Sequence, residues 1–146
     1  SNFSGVEHRI EYVMEIEGVS YYNDSKATNL DSVKVALDSF DQNILLLMGG
    51  KDKGGNFVDI IPHFKDKVKK IITFGQARDK ISIALRDAVR LKKVNDLRDA
   101  VEFCHLNAVP GDIVLLSPGC ASFDQFPNFE KRGFEFKKLV KEIATA

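Results

Sequence analysis

Apolar residues fall into short runs that recur along the whole chain. Residues 10–16 and 19–22 alternate apolar and polar positions on either side of Glu17-Gly18, the pattern of two strands joined in a hairpin. Leu30, Val33, Val35, Ala36 and Phe40 then recur near the helical period, with Thr28 or Asn29 placed to cap the helix they predict. The run Ile44-Leu45-Leu46-Leu47-Met48 is continuous and stops at Gly49-Gly50. A run this short and unbroken reads as a strand buried on both faces, the habit of parallel sheets covered by helices. The alternation then repeats, with strands over 71–74, 92–94 and 113–116 and helices over about 77–90, 96–107 and 129–143.

Strands alternating with helices, several ending in Gly or Ser, predict an α/β fold. It is expected to be a Rossmann-like open sheet, mostly parallel, with helices on both faces and an antiparallel strand from the N-terminal hairpin. Ligands of such sheets bind outside the carboxyl ends of the strands. That rule selects three loops, 23–29, 49–56 and 117–129. The basic stretch Lys65, Lys67, Lys69 and Lys70 reads as a solvated helix end.

Composition narrows the class of protein without naming a function. The 146 residues suit one domain, and the 44% hydrophobic and 29% charged content is that of an ordinary globular chain. Lys+Arg and Asp+Glu balance at 21 each, so no global basic field points to nucleic acid or an anionic membrane surface. No apolar run approaches the roughly 20 residues of a membrane span, and the start reads as neither signal nor transit peptide. Residues 1–7, beginning Ser1-Asn2 without an initiator Met, read as linker or tag remnant, and 8–146 as the domain. Cys104 and Cys120 make neither a disulfide framework nor a Cys-x-x-Cys pair, and His8, His63 and His105 lack metal-ligand spacing. A cytoplasmic, monomeric protein without structural metal is the expectation.

The three loops carry the candidate chemistry. Gly49-Gly50-Lys51-Asp52-Lys53-Gly54-Gly55 offers glycines that let backbone N–H groups approach an anion and lysines that supply charge. Neither G-x-x-x-x-G-K-[ST] nor G-x-G-x-x-G can be laid on it, so it is a cationic loop suited to a carboxylate or phosphate, or a glycine-rich turn with solvated lysines. The 23–29 loop gathers Asp24, Lys26 and Thr28 before a helix N-terminus, where the dipole favours negative charge, although these are also ordinary turn and capping residues. In the third loop Phe123, Phe126 and Phe129 either line a pocket or pack beneath the chain. Neither Ser117 nor Ser122 sits in G-x-S-x-G, which disfavours a Ser-His-Asp hydrolase. No strand-end Asp pair supports a phosphorylated receiver module either.

Four motifs occur in order: H-R at 8–9, N-D-S-K-A-T-N at 23–29, G-G-K-D-K-G at 49–54, and L-S-P-G-C-A-S-F-D-Q-F at 116–126 running on to N-F-E-K-R-G at 128–133. Together they resemble the C-terminal domain of the Mur ligases, and among these the members that add D-glutamate; the resemblance runs from His8 to the last helix. It implies the amino-acid-binding C-terminal domain of an ATP-dependent, peptidoglycan-precursor ligase. In such a ligase ATP and Mg²⁺ activate the carboxylate of UDP-MurNAc-L-alanine as an acyl phosphate, which the amine of D-glutamate attacks. Position by position, it assigns Thr28, Lys53 and Ser122, with the backbone around Phe123 and Phe129, to the two D-glutamate carboxylates. Arg9, Asp24 and Lys26 are assigned to the nucleotide side. Lys51-Asp52 stands where some relatives have Asp-Gly, and Gly119 where many have Ala. A sister ligase of the folylpolyglutamate type, or a non-catalytic Rossmann-like module, is the alternative. Without a P-loop or the family's metal ligands, the chain alone is expected to be inactive.

Overall fold

A computed structural model describes residues 6–146. Of the stretch read as linker, residues 1–5 lie outside the described residues, while Glu7 Oε2 accepts from Lys137 Nζ at 2.7 Å on the last helix.

The N-terminal hairpin forms as the alternation predicts. β1 (Glu11–Ile16) and β2 (Val19–Asn23) pair antiparallel, and Glu17 (φ 52°) and Gly18 (φ 81°) make the two-residue turn whose positive φ values match strand twist. The first strand starts one residue late because Ile10 has φ 44° and sends its N–H to Asp24 instead of into the ladder. β3 (Ile44–Gly49), β4 (Val68–Phe74), β5 (Leu91–Lys93) and β6 (Ile113–Leu116) complete the sheet. The order is β1-β2-β6-β3-β4-β5, every pairing after the hairpin being parallel.

Central placement explains the unbroken apolar run of β3. Ile44, Leu46 and Met48 face the core under α1 (Leu30–Asp38) and α2 (Arg78–Leu85), while Leu45 and Leu47 face α3 (Leu97–Asn107) and α4 (Phe129–Ala144). Burying each such side chain contributes about 1.5–3 kcal/mol, and both faces draw on it. Asn29, Asp96 and Asn128 cap α1, α3 and α4, each accepting through its side chain from a backbone N–H three residues on, so Asn29 and not Thr28 is the cap of α1.

Three expectations need correction. The helix expected over 77–90 ends at Leu85, because Arg90 O accepts from Ile71 N and Val89 and Leu91 pack on the core as the chain enters β5. A short 3-10 helix, Phe57–His63, lies where no element was read; Phe57 and Ile60 are buried, and Pro62 near its end breaks any longer helical pattern. The basic stretch is not a helix end. It runs from a turn at Lys65 and Asp66, both at positive φ, into β4; Lys67, just before the strand, is buried with Nζ donating to Phe40 O at 3.0 Å.

Candidate functional site

The three loops selected by the parallel-sheet rule meet at the carboxyl end of the sheet, because β2, β6 and β3 are adjacent and parallel. Backbone contacts lace them together. Lys51 and Ala121 form an isolated antiparallel bridge, with Lys51 N donating to Ala121 O at 2.8 Å and Ala121 N to Lys51 O at 3.1 Å. Gly119 N donates to Ala27 O at 2.8 Å, tying the third loop to the first. Two further bonds fasten the third loop to its surroundings: Gln76 N donates to Asp124 Oδ2 at 2.9 Å, and Gln125 Nε2 to Asn95 O at 3.0 Å.

A cleft of about 540 Å³ opens beside the first loop. Arg9, Asp24, Lys26, Thr28 and Phe129 line it, so five of the eight sequence-read positions share one cavity. Lys26 Nζ lies 5.6 Å from the centre of the Phe129 ring. Lys53, Ser122 and Phe123 are not in its wall. The bridge nevertheless brings two of them near each other along the backbone, Ser122 following Ala121 directly and Lys53 lying two residues beyond Lys51. Lys53 is exposed, whereas Ser122 is 2% exposed and its Oγ has no hydrogen-bond partner. A buried hydroxyl without a partner costs about 1–3 kcal/mol, which a ligand acceptor or donor can recover. Of the three phenylalanines, Phe129 lines the cleft, Phe126 packs on the core, and Phe123 does neither at 66% exposure.

Asp24 is less free than its sequence context implies. It is buried, Oδ1 accepts from Ile10 N at 3.0 Å, and Oδ2 accepts from Ser117 Oγ at 2.7 Å. Burial pushes its carboxyl up to about 6, against the opposing pull of those two donors and of Arg9. Its oxygens therefore stitch residue 10, β2 and the end of β6 together at the wall of the cleft.

Sequence reasoning quoted Arg132 within a motif but gave it no role, and it is the centre of the arrangement. This side chain is fully buried. Nε donates to Ser25 Oγ at 2.9 Å, Nη2 to Ser25 O at 2.8 Å, and Nη1 to Cys120 O at 3.0 Å. One guanidinium thus clamps the first loop to the third, and Ser25 Oγ passes the bond on to Phe129 O at 2.7 Å. Burial lowers its pKa to about 10, which leaves it charged at neutral pH. The signal was in the sequence: Arg132, Phe136 and Leu139 share one helical face, and the other two are buried.

Behind the cleft, His8 is equally confined. Asn23 Nδ2 lies 2.9 Å from His8 Nδ1 and also donates to Glu11 Oε1 at 3.1 Å, while Asn23 Oδ1 accepts from Ser25 N at 3.1 Å. That orientation makes Nδ1 an acceptor, and burial holds the imidazole below its ordinary value. Gly133 is required here by contact: a Cβ would come 2.1 Å from His8 Nδ1.

The sequence profile described as "Mur ligase, glutamate ligase domain" matches residues 8–120. The chain belongs to this family and is a Mur ligase C-terminal domain. Similar curated proteins carry the name UDP-N-acetylmuramoylalanine–D-glutamate ligase. One from Chlamydia caviae is 46% identical over 97% of this chain and 34% of its own length. One from Alkaliphilus metalliredigens is 48% identical over 97% of this chain and 32% of its own length. The chain thus spans about a third of the length of the curated relatives it matches. Among solved structures, bifunctional folylpolyglutamate synthase/dihydrofolate synthase from Yersinia pestis shares the fold at TM-score 0.67 and 12% identity, over 95% of this chain and 32% of that one. UDP-N-acetylmuramate-alanine ligase from Thermotoga maritima does so at TM-score 0.64 and 9% identity, over 95% of this chain and 31% of that one.

Proposed function

We propose that this domain presents D-glutamate within an ATP-dependent ligase that joins it to UDP-MurNAc-L-alanine. The observation that carries the reading is the buried, unpartnered Oγ of Ser122, next to the bridge that joins its loop to the one bearing the exposed Lys53. A dianionic amino acid calls for a cation, hydroxyls and oriented N–H groups, because charge-assisted bonds are the stronger ones. Lys53 supplies the charge, Ser122 and Thr28 the hydroxyls, and the backbone around Phe123 and Phe129 further donors. Arg9, Asp24 and Lys26, gathered at the cleft, belong to the nucleotide side. The names of the relatives at 46–48% identity support D-glutamate over another amino acid.

ATP and Mg²⁺ would be held mainly by parts of the full-length protein outside this chain and would supply the acyl phosphate. The amine of D-glutamate attacks its carbonyl carbon, the amide bond forms, and phosphate leaves. This chain's residues bind and orient the amine's carrier, a contribution through positioning. The reading extends to a cytoplasmic, monomeric enzyme, and to a fragment that alone neither hydrolyses ATP nor makes product. Ligase turnover by the purified 146-residue chain would contradict that last point.

Kinetics of the full-length protein test the assignment. Lys53→Ala is expected to raise KM for D-glutamate roughly tenfold, about the worth of one charge-assisted contact, with KM for UDP-MurNAc-L-alanine little changed. A selective loss of UDP-substrate binding would contradict it. Activity with L-glutamate or meso-diaminopimelate equal to that with D-glutamate would favour a sister ligase.

A further inference from the structure

The 49–56 loop is long and glycine-rich, yet it is fastened at three points. Its base is the Lys51–Ala121 bridge. Its far end lies on α1, where a Cβ at Gly55 would come 2.9 Å from Leu30 Cδ1. Between them stands Asp52, 23% exposed at its side chain. Oδ1 accepts from Gly54 N at 2.9 Å, closing a turn around Lys53, and Oδ2 accepts from Lys80 Nζ of α2 at 2.5 Å. Lys80 also lies 5.9 Å from the centre of the Phe57 ring, on the 3-10 helix that follows the loop. Lys80 and the N–H groups of Gly54 and Lys53 hold the Asp52 carboxyl below its ordinary value. Lys53 and Gly54, at the tip of this turn, are both exposed.

We propose that Asp52 is a positioning residue: through its ion pair with Lys80 it holds the 49–56 loop against α2 and so sets where Lys53 is presented to the bound amino acid. The proposal rests on the role given to Lys53 above. It concerns a residue to which the resemblance assigns no role, Lys51-Asp52 standing where some relatives have Asp-Gly. An exposed ion pair adds little to global stability. Its effect here is local, removing alternative loop conformations before the ligand binds, which is where preorganisation lowers the cost of binding.

The charges make the test discriminating. If Asp52 and Lys80 acted on an anionic substrate only through space, Asp52→Asn would lower KM for D-glutamate and Lys80→Met would raise it. Positioning predicts that both raise it. Asp52→Asn retains an acceptor for Gly54 N–H and removes the charge that Lys80 answers. In the full-length protein each variant is expected to raise KM for D-glutamate roughly two- to fivefold, the range open to one partly exposed ion pair and the order it imposes. The double variant is expected to match either single, because the pair acts as one unit. KM for UDP-MurNAc-L-alanine, kcat and melting temperature should stay near wild type. An unchanged or lowered KM in Asp52→Asn, or fully additive effects in the double variant, overturns the proposal. Lys53→Ala separates the two levels. If it leaves KM for D-glutamate unchanged, the role of Lys53 fails and the latch with it; if it raises KM while the pair variants do not, only the latch fails.

Discussion

Replacing Arg132 by Met is expected to destabilise the domain by about 3 kcal/mol, measured by chemical denaturation of the purified chain. Met nearly keeps the volume, so the loss is chiefly one of hydrogen bonds. The carbonyl oxygens of Ser25 and Cys120 lose their guanidinium donors, and Ser25 Oγ loses Nε–H while keeping its own bond to Phe129 O. Each buried acceptor left without a partner costs about 1–3 kcal/mol. Against this stands relief, since no carboxylate among the described residues pairs with the buried cation and its burial lowers the guanidinium pKa. The orphaned carbonyls are expected to prevail, because two loops depend on them. Arg132→Lys should recover only part of the loss, since an ammonium cannot span acceptors on both loops in the planar fork of a guanidinium. A Met variant within about 0.5 kcal/mol of wild type, the scatter of ordinary surface changes, would show that the clamp contributes nothing net.

That clamp also marks where the sequence could and could not be read. β3 was legible because a central strand covered on both faces needs no polar positions, so its run is unbroken. From the parallel strands alone, the carboxyl-end rule located the three loops. The sequence pattern overextends helix α2 because Ile81, Leu85 and Val89 keep a helical rhythm, although Val89 serves the approach to β5. The 3-10 helix was missed because seven residues with Pro62 carry too little period. Arg132 was passed over because a charged residue in a helix is exposed by default, even though its spacing from Phe136 put it on the buried face. The bond from Ser117 to Asp24 joins residues far apart in sequence, and no local pattern encodes it. The assignment of particular loop residues to an amino acid rests on family resemblance; spacing alone gives a cationic site open to either a carboxylate or a phosphate.

Asp24 yields the second large effect, seen as pH dependence. Burial pushes its carboxyl up to about 6 in the folded protein, against an ordinary value of 3.8. Below about pH 3 it is protonated in both folded and unfolded chains, and folding incurs no charge burial. As pH rises toward 6 the unfolded carboxyl ionises first, so the unfolded state releases a proton that the folded state still holds, and stability falls. Above the folded value both are ionised, and the full penalty persists. A gap of about two units corresponds to about 3 kcal/mol. Glu11, Asp38 and Asp52 are shifted the other way and gain stability as pH rises, so wild type alone will not reveal the Asp24 contribution. Comparison with Asp24→Asn will, because the other groups cancel in the difference. The amide can still accept from Ile10 N–H and donate to Ser117 Oγ, so the variant keeps the stitch without the charge. Unfolding free energies measured from pH 3 to pH 7 should show wild type losing about 3 kcal/mol relative to Asp24→Asn. A difference that stays flat across that range would mean that Ile10 N–H, Ser117 and Arg9 offset the cost of burying the charge in full.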